Sequence, residues 1–375
     1  MKTEPLTTSE SLMLDIIRTL AAFLVAYGHL SQPYFSTGWK DLTVAARASV
    51  GVFFVLSGFV IRYVTCRRPA TFSHYMGDRA SRIYSVAIPA LILTLVADSI
   101  ARHVNPTFYM FWEPDHARPL FRIFANLIFC GQLRTYLISP LSNSPFWSLN
   151  YEVIYYLLYG FAFYFVGKRR IFSMILLCFV AGPRILYLSP LWFAGCLIHD
   201  LYQRWNQAGT LNTSLNRLLA VSAALLAVLI AASYRDPHLW GFGWSRAVNH
   251  FVWIVPIKPQ EYVFGFFWAV LFIKLLQWAR SFSIRSDTRK VKIIRFVAEG
   301  TFPIYLTHFP IYVLIAACIP YNHASSISKV IIFISVLTFG VLLGHPANIF
   351  KKWLRSLPTK FTPSQKRQLR PSLEN

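Results

Sequence analysis

Asp15, Arg18 and His29 stand inside one apolar run, Leu12–Leu30. Charged groups are costly in hydrocarbon, so an ionisable residue within a membrane-length segment marks a site unless it is paired. Arg18 and His29 are eleven residues apart. Eleven steps of about 100° return to within roughly 20° of the same helix face and climb about 16 Å along the axis. Asp15, one turn before Arg18, shares that face. The result is a polar stripe reaching most of the way across a bilayer. The same spacing also suits an Asp15–Arg18 ion pair at one interface and a lone histidine at the other.

Four further groups carry chemistry-bearing residues. Arg79 and Arg82 are one turn apart, and two guanidiniums on one face suit a phosphate-rich ligand through bidentate contacts; simple anchoring at a cytoplasmic interface is the competing reading. Ser148 and Glu152 share a face at i, i+4, and a carboxyl about a turn inside a span needs a charge partner or a proton. Asn150 and Tyr151 beside them suit hydrogen bonding to a sugar-like acceptor, or membership of an interfacial aromatic belt. His308 lies between Pro303 and Pro310, which free helix carbonyls close to it; a buried neutral histidine on a backbone carbonyl and a functional one are both open. In Val50–Val60, Gly51 and Gly58 lie seven apart on one face and permit close helix contact, while Ser57 has the option of bonding its own helix.

The composition says what must hold these residues. Of 375 residues, 55% are hydrophobic and 14% charged, about half the charged share of an ordinary soluble domain. A soluble enzyme of this length would need a charged surface that this chain does not have. Ten apolar runs are read as helical spans, the fifth of them short with soft ends: Leu12–Leu30, Ala48–Val64, Ile83–Ala101, Leu149–Val166, Ile171–Ala181, Leu186–Leu201, Leu218–Ala232, Tyr262–Trp278, Phe296–Cys318 and Lys329–Phe350. Phe121–Gly131 is too short to span and reads as re-entrant or interfacial. With a cytoplasmic N-terminus, roughly two-thirds of the 37 Lys and Arg fall on the inner side. The expectation is an all-α polytopic membrane protein of about ten transmembrane helices with both termini cytoplasmic. It divides into a leading segment (1–11), a transmembrane domain (12–350) and a basic tail (351–375). The net charge of +22 is then membrane topology rather than nucleic-acid binding. Cys66, Cys130, Cys178, Cys196 and Cys318 are scattered, with neither disulfide-framework nor zinc spacing, so no metal is expected. A transporter or flippase for a glycan or small anion is the alternative class, but no internal repeat of the kind such folds carry is visible.

The chain resembles the acyltransferase-3 family of integral-membrane acyltransferases. Arg18 and His29 match that family's Arg-x10-His motif. Phe53-Phe54-Val55-Leu56-Ser57-Gly58 matches Phe-Phe-x-x-Ser-Gly, and Arg79-Ala80-Ser81-Arg82 matches Arg-x-x-Arg. Trp147-Ser148-Leu149-Asn150-Tyr151-Glu152 resembles Trp-Ser/Thr-Leu-x-x-Glu, and Tyr305-Leu306-Thr307-His308 resembles a late-helix histidine block. The single glutamate at Glu152-Val153 is closer to the exopolysaccharide and lipo-oligosaccharide branch. The resemblance implies transfer of an acyl group, usually acetyl, from cytoplasmic acyl-CoA to a hydroxyl of a carbohydrate or glycolipid at or across a bacterial inner membrane, with no permanently bound cofactor. It assigns Arg79, Arg82 and Ser57 to the coenzyme A donor. Arg18, held by Asp15, would polarise the thioester or steady the thiolate. His29 would serve as general base, with an acyl-histidine as a variant of that scheme. Glu152 completes the catalytic set, and Ser148, Asn150, Tyr151 and His308 would meet the acceptor.

Overall fold

A computed structural model describes residues 4–38, 43–68, 70–112, 117–134, 136–208, 212–235 and 259–360. Lys2, Lys40, Arg246, Lys258 and the tail beyond Lys360 lie outside them. Every regular element among the described residues is helical: α1 (Thr8–Leu30), α2 (Thr43–Arg67), α3 (Phe72–Val104), α4 (Pro106–Trp112), α5 (Pro119–Leu127), a 3-10 turn (Ser144–Phe146), α6 (Trp147–Tyr164), α7 (Gly167–Ala181), α8 (Pro183–Ala208), α9 (Asn212–Arg235), α10 (Pro259–Arg280), α11 (Arg289–Glu299), α12 (Thr301–Cys318) and α13 (Ser326–Lys360). Seven of them, α1, α2, α3, α8, α10, α12 and α13, are long and apolar enough to cross a membrane. Their outward faces carry Ile92, Leu197, Phe266, Ile331 and Leu342, each about half exposed or more, as lipid contact requires.

The expected runs fall on these helices with two adjustments. Phe296–Cys318 is divided at Gly300, so its first residues end α11 and the rest is α12. Residues 351–360, expected in the basic tail, continue α13, and Arg355 there pairs with Asp78 of α3. Phe121–Gly131 overlaps the nine-residue α5, whose Leu120, Phe121 and Phe124 point outward.

Two features set the positions of the helices around the site. The first is the crossing of α2 with α8. A Cβ at Gly58 would lie 1.9 Å from the Trp192 carbonyl oxygen, and one at Gly195 would lie 2.0 Å from that of Val55. The two backbones touch through reciprocal glycines, as small-residue packing permits. Gly51, expected to act with Gly58, meets only the Leu191 side chain at an ordinary 3.8 Å. Arg62 and Asp200 then clamp the same pair of helices with contacts of 2.9–3.2 Å, and His199 joins Asp200 at 2.9 Å.

The second feature is a buried polar pin before α6. Asp98 of α3 accepts from the Ser142 N–H at 2.8 Å, the Ser142 hydroxyl at 2.6 Å and Tyr109 at 3.2 Å. Next to it, Asn143 donates to Thr94 at 3.0 Å and to the Leu306 carbonyl at 2.9 Å. Leu306 lies four residues before Pro310, which has no N–H to offer it. The proline therefore does free a carbonyl near His308, and Asn143 takes it. This joins the start of α6 to α3 and α12.

Candidate active site

Helices α1, α2, α3, α6 and α12 enclose a cavity of about 300 Å³. Its polar lining includes Asp15 and Arg18 from α1, Ser57 from α2, Arg79 and Arg82 from α3, Ser148, Glu152 and Tyr156 from α6, and Tyr305 from α12; Ser11, Tyr63 and Thr301 also line it. Phe53, Phe54, Leu149 and Phe302 are among the apolar lining. Residues separated by almost the whole chain thus meet around one space, which holds three guanidiniums against two carboxyl groups.

Arg18 is held from two sides. Its Nη2 donates to Asp15 at 2.9 Å and to the Ala298 carbonyl, at the end of α11, at 3.1 Å. Its Nε–H is buried and has no acceptor, and the same is true of the Nε–H of Arg79. Leaving a buried donor unmet costs about 1–3 kcal/mol. Two such donors on residues lining one cavity fit an anionic ligand that would accept from both.

Glu152 is met by two hydroxyl groups. Its Oε1 accepts from Ser57 at 2.5 Å and from Tyr156 at 2.5 Å, and the two hydroxyls are 3.2 Å apart. Ser57 thus bonds across to α6 and not to its own helix. Ser148 sits 2.7 Å from the Tyr305 hydroxyl, which donates in turn to the Pro145 carbonyl at 3.2 Å.

The structure brings together Asp15, Arg18, Ser57, Arg79, Arg82, Ser148 and Glu152. Asn150 and Tyr151 are not in the cavity wall. Asn150 is buried and donates to Asn126 at 3.0 Å, and Tyr151 packs its ring on Trp147 at 4.9 Å between centroids. Helical geometry is the reason: Ser148 and Tyr156 lie about 40° to either side of Glu152, while Tyr151 and Asn150 are about 100° and 160° away from it. The polar lining residues Tyr156 and Tyr305 were missed in the sequence, as were Ser11, Tyr63 and Thr301. Tyr156 was readable as the next turn after Glu152. Tyr305 lies one turn before His308, but nothing in the sequence pairs it with Ser148.

His29 and His308 are likewise outside the cavity wall, and they face each other. His29 Nδ1 is 2.9 Å from His308 Nε2, and His308 Nδ1 is 3.0 Å from the Ile304 carbonyl oxygen. His308 is fully buried; His29 is partly exposed. Tyr305, on the cavity side, has its ring centroid 6.2 Å from that of His308. The histidine pair therefore lies just beyond the cavity wall formed by Tyr305. No group of three or more metal-ligating side chains occurs among the described residues.

The chain is similar to known proteins along most of its length. An O-acetyl transferase of Shigella phage Sf6 is 26% identical over 245 residues, which is 59% of this chain and 69% of that protein. No solved structure matches the chain. The family described as "Acyltransferase domain" matches residues 12–345, which include every residue of the cavity wall except Leu6 and Ser11. The chain belongs to this acyltransferase family and is a multi-pass membrane acyltransferase.

Proposed function

We propose that the protein transfers an acetyl group from cytoplasmic acetyl-CoA to a hydroxyl of a carbohydrate or glycolipid acceptor on the far side of a bacterial inner membrane. The chain then crosses the membrane ten times with both termini cytoplasmic, α6, α7 and α9 supplying the three spans beyond the seven. The observation that carries the donor half is the pair of buried, unmatched guanidinium N–H groups of Arg18 and Arg79 beside Arg82. Coenzyme A presents phosphates, which guanidinium groups bind through bidentate, charge-assisted hydrogen bonds.

In this reading Arg79 and Arg82 hold the phosphates at the cytoplasmic mouth. The pantetheine arm runs along α1 from Arg18 towards His29, a rise of about 16 Å. Arg18, held in place by Asp15 and the Ala298 carbonyl, offers its unmatched Nε–H to the phosphate-bearing end of the donor. His29 takes the proton from the acceptor hydroxyl. The alkoxide oxygen attacks the thioester carbonyl carbon, the carbon–sulfur bond breaks, and the thiolate leaves and takes up the proton from His29. Ser57, Tyr156 and Glu152 hold the wall between the arginines and Tyr305. The similarity to a phage O-acetyl transferase supports acetyl as the group and oxygen as the acceptor atom.

The test is acetyl-CoA binding to the purified protein in nanodiscs, measured by calorimetry. Wild type binds saturably, and Arg79→Gln weakens binding by about 10- to 100-fold, the worth of one or two charge-assisted hydrogen bonds. Equal affinity in the two proteins would remove Arg79 from the donor site.

A further inference from the structure

We propose that His308 is a positioning residue that fixes the tautomer of His29, making Nε2 of His29 its basic nitrogen. The inference rests on the reading of His29 as general base. It starts from two distances. His308 Nδ1 is 3.0 Å from the Ile304 carbonyl oxygen, and His308 Nε2 is 2.9 Å from His29 Nδ1.

A carbonyl oxygen can only accept a hydrogen bond, so His308 Nδ1 carries a proton. A second proton would place a charge in a fully buried ring surrounded by Tyr305, Phe309 and Tyr312. Neither nitrogen has a carboxylate partner to offset that charge, and an unpaired buried charge is costly. His308 is therefore the neutral Nδ1–H tautomer, with its lone pair on Nε2. That lone pair is directed at His29 Nδ1, so His29 is the donor across the 2.9 Å contact. In neutral His29 the proton is thus on Nδ1 and the lone pair on Nε2. The bond one ring nitrogen makes decides the state of the other.

The ring geometry agrees. The centroids are 5.0 Å apart and the planes 25° apart. The centroid separation exceeds the nitrogen–nitrogen distance by close to two ring radii. The rings therefore meet edge to edge, as an in-plane N–H···N bond requires, and not face to face. The Nδ1–H form is the less populated one for a free imidazole, so this contact selects it. The consequence is chemical. Nε2 takes the proton of the acceptor hydroxyl as its oxygen attacks the thioester, and the Nδ1–H···Nε2 bond to His308 becomes charge-assisted and stronger at that moment. His29 then gives the Nε2 proton to the departing thiolate. In the serine-protease triad, holding the base in the wrong tautomer costs about 10⁴ in kcat.

The experiment uses full-length protein in nanodiscs with ¹⁵N-labelled histidine, the His29 signals being assigned by their loss in His29→Gln. The expected result is a protonated Nδ1 and a bare Nε2 on His29 in wild type, shifting to the Nε2–H form in His308→Leu. In thiol release from acetyl-CoA with a glycan extract as acceptor, His308→Leu should lower kcat about 100-fold or more with KM for acetyl-CoA unchanged. His308→Gln, whose amide oxygen still accepts from Nδ1–H, should recover at least tenfold of that loss. A wild-type His29 protonated on Nε2 would overturn the inference. So would wild-type kcat in His308→Leu, or a His308→Gln no better than His308→Leu. Acetyl-CoA binding by each variant reports whether it has folded. Turnover retained by His29→Ala would instead overturn the reading of His29 as base, leaving the tautomer to be judged by the nitrogen spectra.

Discussion

At the scale of single residues, Glu152 is the hinge of the cavity wall. One carboxyl oxygen receives two hydroxyls, from Ser57 and Tyr156. Glu152→Leu removes the acceptor and leaves the two hydroxyls only each other, so one donor loses its acceptor at about 1–3 kcal/mol. Glu152→Gln keeps an acceptor oxygen but not the carboxyl chemistry. We expect Glu152→Leu to lower the thermal midpoint in detergent by several degrees and to abolish transfer. Glu152→Gln should stay within about 1 kcal/mol of wild type in stability while losing at least tenfold in turnover. Thermal unfolding beside thiol release checks both; a Glu152→Gln enzyme with wild-type turnover would reduce Glu152 to a packing group.

At the scale of elements, the crossing of α2 and α8 is fixed by glycine backbones in contact. Gly58→Val would drive side-chain atoms into the Trp192 carbonyl, where even a Cβ falls 1.9 Å away. The helices must separate, and Ser57, one residue earlier on α2, moves away from Glu152. Gly51→Val faces only a flexible leucine at 3.8 Å. The expected outcome is loss of the folded fraction by size-exclusion chromatography for Gly58→Val, with Gly51→Val close to wild type. Helix faces were legible in the sequence because they follow from a 100° step: Asp15 with Arg18, Ser148 with Glu152, Arg79 with Arg82. The same step turns Asn150 and Tyr151 away from the site. Which faces meet was not legible. Ser148 with Tyr305 and His29 with His308 are tertiary contacts between helices far apart in sequence, and periodicity says nothing about them. Pro310 announced a free carbonyl, but that Asn143 would claim it depends on the loop pinned by Asp98.

At the scale of the molecule, the low charge and long apolar runs specified a helical membrane protein, and seven described helices meet the demands of a span. The count of ten and the cytoplasmic termini rest on the distribution of Lys and Arg. They predict that a reporter active only in the cytoplasm is active when fused after Asn375 and inactive when fused in the segment between α1 and α2. Activity at both places would invert or shorten the topology. In the proposed reading, Arg79 and Arg82 at one end of the polar stripe and His29 at the other would give the protein its direction, donor from one side and acceptor from the other. The most direct test is thiol release from acetyl-CoA by the purified protein with a mixed glycan extract, comparing wild type with His29→Ala. The account predicts extract-dependent release by wild type and none by His29→Ala, with acetyl-CoA still bound by the variant; release by His29→Ala at the wild-type rate would contradict it.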